Sequence, residues 1–221
     1  MIQKITPILI GGLNGNCYLL TTEKGFVLID AGRRSGRKHL EQVLSKEGCK
    51  PGTLDLVIVT HGDFDHTGNC RYLHDTYHTN IAMHRDDAGM VEHGDMFWNR
   101  QTGNVLMRKI INVTFSIPRF TPDVFLDEDS VLSTYGLNAK ILHLPGHTQG
   151  SIGVLTSEMG LFCGDLFTNT RRPELTSLVD NVLEMNESLK KIKNLGIRTV
   201  YPGHGSPFQM KAYQEGIPSY P

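Results

Sequence analysis

Four side chains of the kind that bind metal ions crowd into six consecutive residues, and this segment limits what the chain can be. His61, Asp63, Asp65 and His66 directly follow LDLVIVT, a continuous apolar run typical of a buried strand. A loop at the end of such a strand would aim all of them together. Imidazole and carboxylate suit zinc, iron or manganese, and the absence of cysteine from the segment disfavours copper(I). The alternative is a polar turn in which aspartate caps the following helix, but capping needs only one acid.

Three more candidate ligands each lie just past a predicted strand. His147 lies in LPGHTQG, Asp165 in FCGDLF and His204 in YPGHGSP. Each alone is more often a surface histidine or a turn aspartate, but the glycines beside them allow the tight turns that ligands held on loops require. We predict that one edge of the sheets collects them with the first four. His84 and His143, at predicted strand ends, are secondary candidates.

The order of predicted elements indicates the fold class. A β-rich opening is followed by helices, a second β-rich region and a long helix, which predicts two packed sheets with helices outside. The clearest helix is predicted over 177–195, where apolar residues recur every three or four positions. Residues 86–122 are predicted to be irregular and to form an insertion or lid, with a homodimer contact and ordinary core packing as alternatives.

Motifs spread over nearly the whole chain carry a resemblance to a known family. LIDAG, VIVTHGDFDHTGN, LPGHTQGS, GDLF and YPGHG follow the metallo-β-lactamase superfamily in order and in approximate spacing. The resemblance implies an α+β protein folded as a four-layer αββα sandwich, with residues 1–221 as a single domain. It implies two metal ions at one edge, with His61 and His147 on the first, Asp65, His66 and His204 on the second, and Asp165 bridging both. Asp30 in LIDAG would orient a ligand or close the loop.

One position departs from the pattern of the family. The motif carries Asp63 where the family usually has its second histidine. A carboxylate adds negative charge and a harder oxygen donor, which favours iron or manganese over zinc at that site. Three alternatives follow: Asp63 is a ligand, it binds through water, or the first site is weak and the protein works with one tightly held ion. We favour ligation, and we expect two divalent ions with zinc as the first choice and iron or manganese as alternatives.

The implied chemistry is hydrolysis. Two cations that share one solvent molecule lower its pKa to about 7, which provides a metal-bridging hydroxide at neutral pH. Asp65 is the candidate catalytic residue because it could accept or relay a proton. The substrate is expected to be a small molecule with an ester, lactone, thioester or related bond. Arg171 and Arg172 could bind an anionic group near the site, although adjacent arginines are more often a solvated loop.

Two other functions are compatible with the same residues. The carboxylate at Asp63 would suit a non-haem iron oxidoreductase of the same fold that handles persulfide or dioxygen, and oxygen uptake would identify it. A metal-binding sensor or scaffold without turnover would need its open coordination position to be blocked. Nothing in the sequence indicates such a plug.

Composition limits the partners. The formal net charge is -1, so no overall field attracts nucleic acid or an anionic membrane. No apolar run reaches the roughly 18 residues needed to span a bilayer, and we expect a cytoplasmic protein. The four cysteines contain no C-x-x-C pair and are expected to be reduced and packed, including Cys70 and Cys163 beside the motifs.

Overall fold

Apolar side chains alternate between the two faces of the first strands, which means that both faces of the sheet are covered. In the computed structural model, which describes residues 2–9, 15–100 and 105–216, Leu19 and Val57 pack on one face. Leu20 and Ile58, the next residues along the same strands, pack on the other. Because neighbouring side chains of a strand point to opposite faces, such a sheet needs a layer on each side.

The strands form two mixed six-stranded sheets. The first has the order β1-β2-β3-β4-β5-β6, antiparallel up to β3 and parallel from there to β6. Its strands are β1 (Ile2–Ile8), β2 (Cys17–Thr22), β3 (Phe26–Ile29), β4 (Leu54–Ile58), β5 (Asn80–Met83) and β6 (Val124–Phe125). The second has the order β12-β11-β9-β8-β7, with β10 paired to β9 and with β9 and β11 parallel. Its strands are β7 (Ala139–His143), β8 (Ile152–Thr156), β9 (Gly160–Asn169), β10 (Glu174–Leu175), β11 (Thr199–Gly205) and β12 (Phe208–Gln209).

Helices cover the outer faces of both sheets. The α-helices of the described residues are α1 (Arg37–Lys46), α2 (Phe64–Thr67), α3 (Cys70–Tyr77), α4 (Arg85–His93), α5 (Val105–Thr114), α6 (Val182–Lys193) and α7 (Met210–Gly216). Leu40 of α1 and Leu73 of α3 pack on the first sheet, while Met185 and Ile192 of α6 pack on the second. A third apolar cluster fills the space between the sheets, which confirms the predicted four-layer αββα sandwich. Within the ranges given above, no helix is long and apolar enough to cross a bilayer.

The prediction that 86–122 is irregular was wrong. The structure has α4 and α5 there, and Met90 and Val91 of α4 are completely buried. Large side chains scattered without an unbroken period conceal these two short helices, because α4 buries only part of its length and apolar residues of α5 such as Ile110 and Val113 are exposed. Residues 101–104 lie outside the described residues, and whether this stretch acts as a lid stays a prediction.

The helix predicted from residue 177 begins five residues later, at Val182. The Asn181 side chain accepts hydrogen bonds from the backbone N–H groups of Leu183 and Glu184, and therefore fixes the start of α6. Leu178, which the periodicity assigned to the buried face, is 66% exposed. The segment before α6 instead lies beside the site, where its backbone contacts His147.

Candidate metal centre

The first motif forms a loop and a single helical turn after β4. Asp63 precedes α2 in an extended conformation, but its side chain makes no capping hydrogen bond to the helix. Its carboxylate instead faces Arg100 and His147. The alternative that Asp63 is only a helix cap is therefore wrong. Asp65 and His66 lie within α2, and all of the motif's candidate ligands are buried.

The other three candidate ligands reach the same edge from the second sheet. His147 lies in the turn between β7 and β8, as predicted, but Asp165 and His204 lie within β9 and β11 rather than after them. The two strands pair in parallel with register shifts near Pro202, and Gly164 has a φ of +50°. These irregularities interrupt the regular alternation of side chains at Asp165 and His204. Both strands continue past these residues.

His61, Asp63 and His147 form the first group of donors. The Oδ2 atom of Asp63 lies 3.1 Å from Nε2 of His147 and 3.6 Å from Nε2 of His61. All ligand atoms of the group lie within 4.8 Å of one another. Two imidazoles and one carboxylate therefore converge on one small volume.

Asp65, His66 and His204 form the second group of donors, also within 4.8 Å of one another. Nε2 of His204 lies 3.2 Å from Oδ2 of Asp65, and Nε2 of His66 lies 4.0 Å from the same oxygen. The first group has the same composition, so each could hold one cation.

Asp165 lies between the two groups. Its Oδ1 is 3.3 Å from Nε2 of His66, and its Oδ2 is 3.3 Å from Nε2 of His204 and 3.9 Å from Nε2 of His147. One carboxylate therefore contacts ligand atoms of both groups. This is the arrangement that a bridging carboxylate requires.

A layer of hydrogen bonds behind the donors fixes the orientation of their rings. Oδ2 of Asp30 lies 2.8 Å from Nδ1 of His66 and accepts from the Thr60 hydroxyl at 2.8 Å. The Thr60 hydroxyl lies 3.0 Å from Nδ1 of His61, and the Leu178 carbonyl lies 2.7 Å from Nδ1 of His147. With each Nδ1 engaged, Nε2 is the nitrogen left for a ligand.

Several ligand atoms of the buried donors have no hydrogen-bond partner among the described residues, which fits a role in binding metal ions. Within the described part of the chain, Nε2 of His61, Nε2 of His66 and Oδ1 of Asp165 are buried without a hydrogen-bond partner. Buried polar atoms are rarely left in this state unless a water molecule or an ion satisfies them. The donor set of imidazoles and carboxylates suits zinc, iron or manganese.

Charge also favours a cation in this volume. Burial works against ionisation of Asp63, yet the Arg100 guanidinium holds its pKa well below the usual range. Burial alone would lower the pKa of His147, but the neighbouring carboxylates Asp63 and Asp165 raise it to about 9. Burial would also lower the pKa of His204, but Asp165 and Asp65 raise it to about 9. Without a metal ion, protons on these histidines balance the carboxylates. A bound ion would replace those protons.

Glycines allow the backbone to approach the donors, and Gly203→Ala tests one of them. A Cβ atom at Gly203 would lie 2.0 Å from Oδ1 of Asp165 and 2.8 Å from Cε1 of His66. We expect the variant to bind zinc about 10–100-fold more weakly, because β11 must shift and misplace the donors. Gly196→Ala is the control: it has a φ of +65° but no neighbouring atom within 4 Å, so it should keep its zinc affinity. Equal zinc affinity in the two variants would contradict this expectation.

Asp87 is a buried residue of the site that the sequence did not reveal. Its two carboxylate oxygens accept hydrogen bonds from the backbone N–H groups of Gly62 and Gly150, from the Thr148 hydroxyl and from the Asn99 amide. It therefore ties the loop that carries His61 to the loop that carries His147. No spacing pattern marks such a residue, because its partners lie far away in sequence.

Arg100 was also missed. Its side chain is 8% exposed and forms a two-bond fork with Asp63, 2.6 Å from Oδ1 and 3.1 Å from Oδ2. It follows Trp98 and Asn99 in a stretch without periodicity, so nothing in the sequence relates it to the motif. The stretch predicted as a lid thus supplies a charged residue to the donor cluster.

The secondary candidates lie outside both groups of donors. His84 and His143 stack with ring centroids 4.1 Å apart and an angle of 9° between the ring planes. Burial, followed by the nearby His143, lowers the pKa of His84. Arg171 and Arg172 are exposed, and Arg172 pairs with Glu174, which agrees with a solvated loop.

The four cysteines are buried and free, as predicted. Burial raises the pKa of Cys163 to about 12 and that of Cys49 to about 11. Such thiols are poor nucleophiles at neutral pH, because the thiolate is the reactive form.

Comparisons with known proteins indicate the family of the chain. The family model described as "Metallo-beta-lactamase superfamily" matches residues 10–204. The chain is 26% identical over 199 residues to a probable metallo-hydrolase of Methanocaldococcus jannaschii, covering 88% of this chain and 89% of that one. It is 26% identical over 194 residues to the Drosophila melanogaster Beta-lactamase-like protein 2 homolog, where it covers 86% of this chain but spans only 58% of the relative.

Two solved structures are similar over nearly their full lengths. The crystal structure of TTHA1623 in a di-iron-bound form has a TM-score of 0.74 at 26% identity, covering 96% of this chain and 98% of that one. The BLEG-1 B3 metallo-beta-lactamase has a TM-score of 0.76 at 22% identity, covering 97% and 98%. The second likeness concerns the fold alone.

Proposed function

The chain belongs to the metallo-beta-lactamase superfamily, and on that premise we propose that it is a hydrolase with two divalent metal ions that cleaves an ester, lactone, thioester or related bond in a small molecule. The observation that carries the proposal is the position of Asp165. Its carboxylate contacts ligand atoms of two donor groups, each with two imidazoles and one carboxylate. A single ion would not need a second complete set of donors.

The residues fall into distinct roles in this proposal. His61, Asp63 and His147 would hold one ion, Asp65, His66 and His204 the other, and Asp165 would contact both. When bound, divalent ions lower the pKa of a coordinated water molecule and polarise the oxygen of the bond to be cleaved. The Asp65 carboxylate, which lies near His204, is proposed to accept a proton during the reaction. Asp30 orients His66 through Nδ1.

Of the three alternatives for Asp63, direct ligation is the one we propose. Its Oδ2 points toward the Nε2 atoms of both histidines of the first group, at 3.1 Å and 3.6 Å. The carboxylate is buried, with 7% of the residue exposed, which leaves little room for an intervening water. These observations support a carboxylate ligand in place of the usual histidine.

A non-haem iron oxidoreductase is the second candidate function. Two histidines and one carboxylate with open positions are the donor set of many iron oxygenases, and both groups have this composition. TTHA1623, which is 26% identical, has been crystallised in a di-iron-bound form. The metal of the native protein is therefore central to choosing between hydrolysis and oxidation.

The test begins with protein purified without added metal or chelator. Its metal content is measured by mass spectrometry, and it is then assayed against ester, lactone, thioester and phosphodiester substrates, and for oxygen uptake with thiol and persulfide substrates. Stripped protein is reloaded separately with zinc, iron and manganese. His147→Ala removes a proposed ligand, whereas His39→Ala removes an exposed histidine away from the donors.

The expected result is two equivalents of metal per chain and hydrolysis of at least one substrate class. His147→Ala should lose activity by about 10²-fold or more, and His39→Ala should match the wild type. Oxygen uptake that is lost when iron is removed would favour the second candidate. A protein that holds metal but turns over no substrate in either panel would refute both.

A further inference from the structure

We propose that Arg100 is a positioning residue that offsets the charge of Asp63, so that the Asp63–Arg100 pair replaces a neutral histidine ligand at the first site. The inference rests on the proposed metal centre. It assigns a role to a residue from the stretch between α4 and α5, which the donor motif does not include.

The contact between the two residues has the geometry of a charge-assisted fork. Nη1 of Arg100 donates to Oδ1 of Asp63 at 2.6 Å and Nη2 donates to Oδ2 at 3.1 Å. The same Oδ2 lies 3.1 Å from Nε2 of His147. Arg100 therefore holds one oxygen entirely and leaves Oδ2 facing the histidines. Because Oδ2 is the oxygen that faces both histidines of the first group, it is the atom through which Asp63 would bind an ion.

The Nε end of the Arg100 guanidinium is held by Asp180, in the segment that precedes α6. Nε of Arg100 donates to Oδ2 of Asp180 at 2.6 Å. The Asp180 backbone N–H donates to the carbonyl of Gly146, the residue before His147. Arg100 thus joins the loops of two ligands, and its position depends on both.

The Arg100 guanidinium offsets the negative charge that Asp63 adds to the first site. A histidine ligand is neutral, whereas an aspartate in its place adds one negative charge to a volume that already contains Asp65 and Asp165. A buried charge is costly unless it is paired, and the guanidinium supplies the compensating charge. Counted by itself, the Asp63–Arg100 pair then carries the same net charge as a neutral histidine, while the negative charge of Asp180 lies at the Nε end of the guanidinium, on a side chain that is 30% exposed.

A substrate-binding role for Arg100 fits the contacts less well. A guanidinium has five N–H donors. Arg100 uses four hydrogen bonds on Asp63, Asp180 and the Met96 carbonyl. Little hydrogen-bonding capacity remains for an incoming anion, and the side chain is almost fully buried.

A double-mutant cycle in zinc binding tests the proposal without requiring activity. Stripped wild type, Asp63→His, Arg100→Gln and the double variant are titrated with zinc against a chromophoric chelator. In Asp63→His the guanidinium keeps its contact with Asp180 but loses the carboxylate between itself and the ion, so the weaker zinc equivalent should bind at least about 10-fold more weakly. In Arg100→Gln the site gains net negative charge, so this equivalent should bind about 10-fold more tightly. The double variant should return to within a few-fold of wild type.

Arg71→Gln is the matched control, because it breaks an exposed aspartate–arginine pair with Asp75. It should leave zinc binding unchanged, and Arg100→Lys should stay close to wild type. A purely structural role for Arg100 predicts weaker binding in Arg100→Gln and no rescue in the double variant, and that result would overturn the proposal. If Arg100→Gln does not fold, Asp63→His decides alone: two equivalents at wild-type affinity refute the inference. Wild type that binds no zinc, iron or manganese would instead refute the proposed function.

Discussion

Asp165→Asn is expected to lower kcat/KM for hydrolysis by about 10³-fold, which corresponds to about 4 kcal/mol of transition-state stabilisation. The substitution keeps the size of the side chain but removes the charge that faces both groups of donors. Oδ1 lies 3.3 Å from Nε2 of His66 in the second group, and Oδ2 lies 3.9 Å from Nε2 of His147 in the first, so neither ion would keep its full set of ligands. Steady-state kinetics on the substrate found for the wild type, together with the metal content per chain, measure the effect.

Asp129→Asn provides the control for this loss of charge, because Asp129 is exposed in a loop. It should retain wild-type activity and metal content. If Asp165→Asn kept two tightly bound ions and more than a tenth of the activity, Asp165 would not be the bridging ligand.

Asp87→Ala is expected to lower the free energy of unfolding by about 3 kcal/mol, the largest effect on stability that we predict. The variant leaves the backbone N–H groups of Gly62 and Gly150 and the Thr148 hydroxyl buried without their acceptor. An unsatisfied buried donor costs about 1–3 kcal/mol, and some of these groups will recover a partner by relaxation. Urea unfolding of the metal-free protein measures the change, and zinc affinity should fall too because both ligand loops loosen.

The neighbouring residue offers a close control. Asp86 lies on the same helical turn of α4, but its side chain is 49% exposed. Asp86→Ala should cost less than about 1 kcal/mol, since surface charges near a helix start contribute little. Comparable losses in the two variants would show that the carboxylate network of Asp87 does not hold the loops together.

The sequence predicted the parts of the protein that local patterns control. Apolar runs identified strands such as β4, and the alternation of β-rich and helical regions indicated the four layers. The donor motifs stand at or near strand ends, so the convergence of His61 and His147 at one edge of the two sheets could be expected. Asp165 and His204 also converge there, although each lies inside a strand that continues beyond it.

The contacts that could not be predicted are those made over long distances by single residues. Asp87 and Arg100 lie in a stretch with no clear period, and their partners are fixed by how α4 packs against the loops. The start of α6 was misplaced for a related reason. Hydrophobic spacing extended the predicted helix to Leu178, but the side chain of Asn181 fixes a later start. The Leu178 carbonyl instead contacts Nδ1 of His147.

The division of the donors between the two sheets has a consequence for the lifetime of the protein. The first sheet's loop supplies His61, Asp63, Asp65 and His66, while the second sheet supplies His147, Asp165 and His204. Ions shared by both would cross-link the sheets at one edge and add about 4 kcal/mol to stability at a concentration 1,000-fold above the dissociation constant. Copies without metal would open at that edge more often and expose their loops to proteolysis. Metal starvation would then reduce the amount of the protein as well as its activity.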